Sequence, residues 1–255
     1  MTIIHTLLFS LVEGITEFLP ISSTGHLILT AKLLGIEQTV TQESFEIAIQ
    51  LGAILAVVVL YGRTLLRDRR TLVLVGIAFL PTAVIGFLLH TVVKEFLLGS
   101  IPTVLAALFV GGIVLIVFER FVPKTAQRNA VTSISPRQAV LVGIFQSLAI
   151  IPGVSRSAAT IVGGELIGIP KQTIVEFSFL LAIPTMAAAT GYDLLKTAGQ
   201  FTAADVQALV IGFVLSFMVA LAAIKWFLAY VKNHSFVVFG VYRVIVAVAF
   251  FLFWK

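Results

Sequence analysis

The chain reads EGITEFLPISSTGH at residues 13–26, within a stretch from 2 to 34 that is otherwise mostly apolar. The segment LPISS, residues 19–23, interrupts this stretch, because proline removes a backbone donor and ends a helix. Each half has about 12 to 17 residues, whereas a spanning helix needs about 20. The sequence therefore predicts a re-entrant helix–loop–helix hairpin, whose irregular backbone must be buried in protein or line a watery cavity.

A second stretch, from 137 to 169, has the same organisation. The segment IPGVS, residues 151–155, interrupts it with a proline and a glycine. Its halves are again too short to cross a bilayer alone. We therefore expect two hairpins, and we interpret the polar residues around their breaks as the two parts of one site.

The composition indicates that lipid surrounds most of the chain. Hydrophobic residues make up 59% of the 255 residues and charged residues 11%, whereas a soluble domain has about 25% charged residues. The net charge of +5 is carried by short segments between apolar runs, which indicates membrane topology rather than nucleic-acid binding. The absence of cysteine excludes disulfides, thiolate catalysis and zinc–thiolate sites. The N-terminus has no basic segment or cleavage site of a signal peptide.

Apolar runs of spanning length complete the predicted architecture. The sequence predicts an all-α polytopic membrane protein with six transmembrane helices and the two re-entrant hairpins. The six runs are 44–61, 71–93, 101–118, 173–193, 206–224 and 236–254.

Basic residues predict the orientation, because cytoplasmic loops carry an excess of lysine and arginine. If the spans alternate, eleven basic residues fall on one side and four on the other. The first side is therefore predicted to be cytoplasmic, with both termini outside. The first hairpin then opens to the outside and the second to the cytoplasm. The larger group is four arginines in loop 63–70, four basic residues in loop 120–137, Lys171, Lys225 and Lys232; the smaller is Lys32, Lys94, Lys196 and Lys255.

The two halves of the chain match without gaps, which indicates an internal repeat. Residues 11–36 align with 144–169 at an offset of 133. Because three predicted spans separate the hairpins, the copies insert from opposite faces, as in inverted-topology repeats with sites near the midplane. We predict a single integral membrane domain over 1–255, with repeats of about 1–121 and 137–255. The alternative is chance similarity between apolar helices.

Glu13 and Glu17 are the first candidate site residues. They are four positions apart and share one helix face. A charge at bilayer depth costs at least about 2.5 kcal/mol, and two close carboxylates also repel each other. The pair therefore needs a cation, or one of the two carboxylates must hold a proton. Oxygen ligands suit Mg²⁺ or Ca²⁺, so we predict that this pair holds a divalent cation. The alternative is a pair of interfacial carboxylates that face water.

Hydroxyl groups and a histidine follow the first break, at Ser22, Ser23, Thr24 and His26. If the second half-helix begins here, its free N–H groups and its dipole favour a phosphate. Ser23 and His26 are three positions apart, and a hydroxyl beside an imidazole can form a nucleophile–base pair. The alternative is that Ser22 or Ser23 only caps the helix and that His26 is packed.

Arg156 occupies the matching position after the second break. A guanidinium group makes bidentate contacts to phosphate, so we expect Arg156 to lie opposite Ser23 and His26. The alternative is a structural ion pair with Glu13 or Glu17. Ser155, Ser157 and Thr160 can add hydroxyl donors, and capping or packing roles are equally open for them. Gln146 is the repeat equivalent of Glu13 and is predicted to add a hydrogen bond.

Two more polar residues interrupt predicted spans. Gln50 is a polar break in an apolar run, and Arg243 lies inside the last span. For Arg243 we expect a structural ion pair, the usual arrangement of an arginine at this depth.

Together these residues predict a phosphate site that is supplied from the lipid phase. The substrate is predicted to be an amphiphile with a phosphate or diphosphate head and a hydrocarbon tail. Ser23 would attack the terminal phosphorus, His26 would take its proton, and Arg156 would stabilise charge on the phosphate oxygens. Attack by a water that His26 activates, or a covalent phosphohistidine, is also open.

The motifs EGITEFLPISSTGH (13–26) and PGVSRSAAT (152–160) resemble the two signature motifs of the undecaprenyl-diphosphate phosphatase family, of the bacitracin-resistance type. The resemblance covers nearly the whole chain. It implies release of phosphate from undecaprenyl diphosphate, which recycles the lipid carrier for cell-wall synthesis. It also implies dependence on Mg²⁺ or Ca²⁺ and a location in the bacterial inner membrane. The family's site falls on Glu13, Glu17, Ser23, His26 and Arg156.

Two rival functions are weighed against this one. A polyprenyl-lipid transporter or flippase also fits an inverted repeat with an intramembrane anion site, but it does not need a serine beside a histidine. The other membrane lipid-phosphatase superfamily, which uses a phosphohistidine, needs a later histidine and aspartate that residues 157–192 lack. The expected partners are the diphosphate lipid and membrane lipids, with no nucleic acid. The sequence leaves a monomer and a homodimer open.

Overall fold

The computed structural model describes residues 2–36, 39–92, 97, 100–121, 130–197 and 203–253. Within these residues the chain forms helices joined by turns and contains no strand, which confirms the all-α class. The α-helices of this part of the chain are α1 (Ile3–Thr16), α2 (Ser23–Leu33), α3 (Val40–Arg67), α4 (Arg69–Val92), α5 (Ile101–Phe121), α6 (Pro136–Gln146), α7 (Arg156–Leu166), α8 (Lys171–Thr197), α9 (Ala203–Tyr230) and α10 (Val237–Phe253).

Both predicted hairpins have the expected helix–break–helix form. The first consists of α1 and α2, and the second of α6 and α7, with a 3₁₀ turn at Ser147–Ile150 inside its longer break. Their helices have 14, 11, 11 and 11 residues, which is too short to cross a bilayer. Entry of the hairpins from opposite membrane faces stays a prediction.

Five of the six predicted spans are confirmed as helices long and apolar enough to cross a membrane. The sixth corresponds to α10, which has 17 residues in the described part of the chain and a length of about 26 Å. Its predicted last residue, 254, lies outside the described residues, so this span stays a prediction. The five candidate spans are Ser44–Leu65, Arg69–Leu89, Ile101–Phe121, Lys171–Gly191 and Val206–Tyr230.

The segment 63–70, predicted as a loop, is helical except at Asp68. This prediction was wrong because arginine and leucine are good helix formers and the segment contains no glycine or proline. The carboxylate of Asp68 accepts hydrogen bonds from the hydroxyl of Thr71 at 2.6 Å and from the N–H of Arg70 at 3.0 Å, so it caps α4. The hydroxyl bond is the main reason that the pKa of Asp68 lies below its usual value.

The orientation of the chain stays a prediction as well. The arginines of 63–70 lie at the ends of two candidate spans. The helical structure of this segment therefore does not change the number of basic residues counted on each side of the membrane. Some of the counted residues lie outside the described part of the chain: Lys94, Lys124, Arg128, Lys255 and the side chain of Lys196.

The helices pack against one another in pairs, and the internal repeat stays a prediction. α3 packs against α8 and α9, α4 packs against α6 and α8, α1 packs against α9, and α5 packs against α10. In the predicted repeat, helices α1 to α5 correspond in order to α6 to α10. The contact between α1 and α9 then corresponds to the contact between α6 and α4, and the contact between α3 and α9 to the contact between α8 and α4. Helix α5 also contacts both α2 and α7, so it lies beside the two breaks.

Close approach of helix backbones depends on glycine at the α4–α6 contact. A Cβ on Gly143 of α6 would lie 2.0 Å from the carbonyl oxygen of Ala78 in α4. The hydroxyl of Thr82 donates to the carbonyl of Gly143 at 2.9 Å, which fixes the same contact. Through this contact, α6 of the second hairpin packs against the long helix α4.

We expect Gly143→Ala to lower the free energy of unfolding by about 1–3 kcal/mol, because the added methyl overpacks the contact. Thermal unfolding of the purified protein in detergent measures the change. Gly76→Ala in α4 is the matched control, since nothing lies within 4 Å of a Cβ at Gly76. An unfolding temperature equal to that of the parent protein would contradict the proposed close contact.

Candidate active site

The two breaks meet around a cavity of about 230 Å³. The N-termini of α2 and α7 lie at this cavity, and the positive ends of both helix dipoles favour an anion there. Of the predicted site residues, Glu13, His26 and Ser157 do not line it. Those that line it are Glu17, Ser22, Ser23, Thr24, Gln146, Ser155 and Arg156.

Glu17 follows the last residue of α1 and links the two breaks. Its Oε1 accepts a hydrogen bond from Arg156 Nη2 at 3.0 Å. Its Oε2 accepts a hydrogen bond from Ser23 Oγ. The residue is 8% exposed, so little water competes for these contacts. Glu17 therefore neutralises the guanidinium and holds the serine hydroxyl beside it.

Arg156 begins α7 and reaches across to the first hairpin. Its Nη1 donates to the carbonyl of Ser178 at 2.8 Å, and its guanidinium carbon lies 5.7 Å from the centre of the Phe18 ring. Its Nε is buried and has no hydrogen-bond partner within the described residues. The guanidinium is thus fixed by the residues that follow α1 and by α8, and its Nε keeps donor capacity beside the cavity.

Ser22 forms the turn that presents Ser23. Its backbone has a φ of 73°, in the left-handed region that non-glycine residues rarely adopt. Its Oγ accepts a hydrogen bond from the N–H of Gly25 at 3.3 Å, so Ser22 is the N-cap of α2. The capping alternative therefore holds for Ser22, while Ser23 and the exposed Thr24 remain at the cavity.

His26 faces away from Ser23. Its Nδ1 lies 2.8 Å from the carbonyl oxygen of Ser22, so this nitrogen carries the proton. Its Nε2 then accepts from the hydroxyl of Tyr242 at 2.9 Å, and the two rings stack with centres 5.5 Å apart. Since the hydroxyl of Ser23 donates to Glu17, the structure does not form the predicted Ser23–His26 pair.

Glu13 lies behind Glu17, one helical turn earlier on α1. It is 0% exposed, and neither of its carboxylate oxygens has a hydrogen-bond partner among the described residues. It interacts electrostatically with Glu17, Glu46 and Arg156. A buried carboxylate without a donor is costly, so a cation suits this position.

A divalent cation fits the residues present. The described residues contain no group of three or more His, Cys, Asp or Glu side chains that could hold a metal ion. Mg²⁺, however, commonly uses one or two carboxylates and takes its other ligands from water and substrate phosphates. Glu17 can contribute because each carboxylate oxygen has two acceptor sites, and Glu13 contributes two unpartnered oxygens.

The predicted hydroxyl donors of the second break are engaged within the protein. Ser155 caps α7 by accepting from the N–H of Ala158 at 3.2 Å. Ser157 donates to the carbonyl of Leu19 at 2.8 Å, which ties the second break to the first. Thr160 and Ser178 share a hydrogen bond of 2.6 Å beneath Arg156. These groups shape the site rather than offer free donors to it.

Three further polar residues line the cavity: Gln50, which the sequence had marked as a polar break in an apolar run, and Thr82 and Thr185, which the sequence reasoning passed over. Gln146 Nε2 donates to the hydroxyl of Thr82 at 2.9 Å and to that of Thr185 at 3.0 Å. Each threonine follows a proline inside a long helix, at Pro81 and Pro184. A Pro-Thr pair inside an apolar span was the signal that could have found them.

Comparison with known proteins shows to which family the chain is similar. Residues 6–249 match the family model described as bacitracin resistance protein BacA. An undecaprenyl-diphosphatase of Aquifex aeolicus is 51% identical, covering 99% of this chain and 100% of that protein. One of Sulfurihydrogenibium is 47% identical, covering 99% of both. One of Thermus thermophilus is 45% identical, covering 98% of this chain and 96% of that protein.

Proposed function

The chain belongs to the BacA family of bacitracin resistance proteins, and from this we infer that it dephosphorylates undecaprenyl diphosphate and contributes to bacitracin resistance. Every relative named above is called an undecaprenyl-diphosphatase. The observation that carries the mechanism is the chain of contacts from Ser23 through Glu17 to Arg156 at the cavity. It joins a nucleophile, a proton acceptor and a phosphate-binding cation.

In the first step, Ser23 Oγ attacks the terminal phosphorus of the diphosphate. The hydroxyl proton passes to Glu17 Oε2, which already accepts the hydrogen bond from Ser23. The bond between the terminal phosphorus and the bridging oxygen breaks, and undecaprenyl phosphate leaves. Arg156 binds the equatorial oxygens of the transferring group, where charge develops. The products of this step are a phosphoserine and the lipid monophosphate.

In the second step, water attacks the phosphoserine and releases phosphate. Glu17 returns its proton to the Ser23 oxygen and takes one from the water. It then releases this proton with the departing phosphate or to solvent, so that the carboxylate and its ion pair with Arg156 are restored. We favour Glu17 over His26 as the base because both ring nitrogens of His26 are engaged and His26 is absent from the cavity lining. The same contacts count against a phosphohistidine.

We propose that Glu13 and Glu17 hold a divalent cation, Mg²⁺ or Ca²⁺, during the reaction. The unpartnered oxygens of Glu13 support this assignment. A bound cation would neutralise charge on the diphosphate and assist the leaving group. Glu13 and Glu17 both belong to the first hairpin, so the positive charge of the cation would lie on that hairpin, whereas Arg156 belongs to the second.

We expect Glu13→Gln to weaken metal binding by at least about tenfold, since the loss of even an outer-shell partner costs about 10–100-fold. The concentration of Mg²⁺ for half-maximal activity rises accordingly, and direct titration with Mn²⁺ measures the affinity independently of activity. Glu165→Gln is the matched control, because Glu165 also has a buried, unpartnered carboxylate oxygen, on α7. Full activity in the presence of EDTA would contradict the metal assignment.

The cell location follows from the proposed substrate. We propose the bacterial inner membrane, with the site opening to the periplasmic side and the product returning to the pool of lipid carrier for cell-wall synthesis. Labelling of single cysteines at 37–43 and at 63–70 in intact cells tests the orientation. Labelling by an impermeant reagent at 37–43 alone supports it, and labelling at 63–70 alone contradicts it.

Release of phosphate from undecaprenyl diphosphate by purified protein in detergent with Mg²⁺ tests the activity itself. A transporter or flippase would bind the lipid without releasing phosphate. If the purified protein binds the lipid but releases no phosphate under these conditions, the phosphatase proposal is wrong and the transporter or flippase is favoured.

A further inference from the structure

Arg243 binds the backbone of both hairpin breaks from a third element, α10. The residue is 1% exposed. Its Nη1 donates to the carbonyl of Pro20 at 3.3 Å, and its Nη2 donates to the carbonyl of Gly153 at 3.0 Å. Pro20 lies in the first break and Gly153 in the second, and these two positions align in the predicted repeat, at an offset of 133.

The same guanidinium is anchored on α5. Its Nε donates to the carbonyl of Leu108 at 3.3 Å and its Nη2 to the carbonyl of Ala107 at 2.9 Å. The expected ion pair is absent: no carboxylate within the described residues pairs with Arg243. Arginine carries five donors in a rigid fork, so several carbonyls can satisfy it together. The backbone carbonyl groups at the two breaks can accept hydrogen bonds from Arg243, because the helical backbone hydrogen bonds stop there.

Helix α5 is shaped to receive this side chain. A Cβ on Gly111 would lie 2.2 Å from Arg243 Nη2. A Cβ on Gly153, whose φ is +92°, would lie 2.7 Å from the carbonyl oxygen of Val104. The second break therefore rests directly on α5, and the guanidinium fills the space between them.

The two break carbonyls are close to the reacting groups along the chain. Pro20 is three residues from Glu17 and three from Ser23, and Gly153 is three residues from Arg156. We propose that Arg243 is a positioning residue, which sets the separation between the Ser23–Glu17 pair and Arg156. This inference rests on the site proposed above. A misplacement of about 1 Å can cost about 100-fold in rate.

Two variants disturb the guanidinium in different ways. Arg243→Gln removes most of its donors, and Gly111→Ala keeps the charge but occupies its place. We expect kcat to fall by about 30-fold or more in Arg243→Gln, with KM within about threefold, because orientation rather than binding is lost. Arg120→Gln, at an exposed position on α5, the helix that contains Gly111, is the control for loss of an arginine. Thermal unfolding confirms that each variant is folded.

A distance measurement separates positioning from a general role in folding. The chain has no cysteine, so spin labels can be placed on cysteines at Thr24 and Ile151, which are exposed at the two breaks. We expect a single narrow distance in the parent background. In Arg243→Gln the distance should broaden or lengthen. This readout does not depend on the reaction.

Either of two results overturns the inference. One is a folded Arg243→Gln protein with kcat within about threefold of the parent. The other is lost activity with an unchanged distance distribution, since Arg243 would then act in another way. If Arg243→Gln does not fold, Gly111→Ala decides by the same criteria. Failure of the proposed mechanism has a different signature: Ser23→Ala retains activity, while the label distances still report on Arg243.

Discussion

Ser23→Ala is expected to lower kcat by about 10³-fold or more, because the covalent route requires the hydroxyl. The substitution removes the only group that donates to Glu17 Oε2 among the described contacts. KM should change little, since Arg156 and the helix N-termini still bind the diphosphate. Release of phosphate under saturating lipid measures the effect, and a phosphoserine trapped by rapid acid quench in the parent would identify the intermediate.

Ser216→Ala is the matched control for this experiment. Ser216, like Ser23, is a buried serine, and its hydroxyl donates to a backbone carbonyl, that of Ile49, at 2.7 Å. It lies at the α3–α9 contact, away from the cavity lining. Its loss should lower stability and leave kcat near the parent value. If Ser23→Ala keeps full activity, the serine mechanism is wrong, although the phosphatase activity would stand.

Arg156→Met is expected to lower kcat by about 10³-fold, the effect typical of an arginine that stabilises a transferring phosphoryl group. It also leaves Glu17 buried without its ion-pair partner, which costs about 3–5 kcal/mol of stability. Arg156→Lys keeps the charge but loses the fork that contacts both Glu17 and Ser178. We expect it to recover only part of the rate, because lysine is a point charge.

Lys171→Met separates the two effects of Arg156→Met. Lys171 forms a second, mostly buried ion pair with Glu119 at 2.6 Å, and neither residue lines the cavity. Its substitution should lower the unfolding temperature with kcat within about threefold of the parent. If Lys171→Met and Arg156→Met lose activity in parallel with stability, Arg156 has no specific role in phosphoryl transfer.

The helices and breaks were predictable because each depends on local sequence. Pro20 and the Pro152–Gly153 pair interrupt apolar stretches, and the long spans follow from hydropathy alone. The packing partners were not predictable, because they depend on surface shape. At Gly52, for example, a Cβ would lie 2.3 Å from the carbonyl oxygen of Phe213, so the absence of a side chain on α3 determines how closely α9 approaches.

Within the site, the types of residue were predictable and their pairings were not. A spacing of three places Ser23 and His26 near each other on one helix, which suggested a nucleophile–base pair. The actual partner of His26 is Tyr242, which lies 216 residues later in the sequence. The left-handed backbone conformation of Ser22 was not predictable either. It helps to turn the hydroxyl of Ser23 toward Glu17. No periodicity in the sequence reports either fact.

The contact between Glu17 and Arg156 has a consequence for the enzyme between turnovers. Because the charges of Glu17 and Arg156 balance each other, neither of these two side chains is left uncompensated in a medium of low dielectric. An incoming diphosphate must compete with Glu17 for the guanidinium, so a weakly charged headgroup gains little by entering. We therefore expect a lipid with a single phosphate to compete poorly with a lipid that carries two.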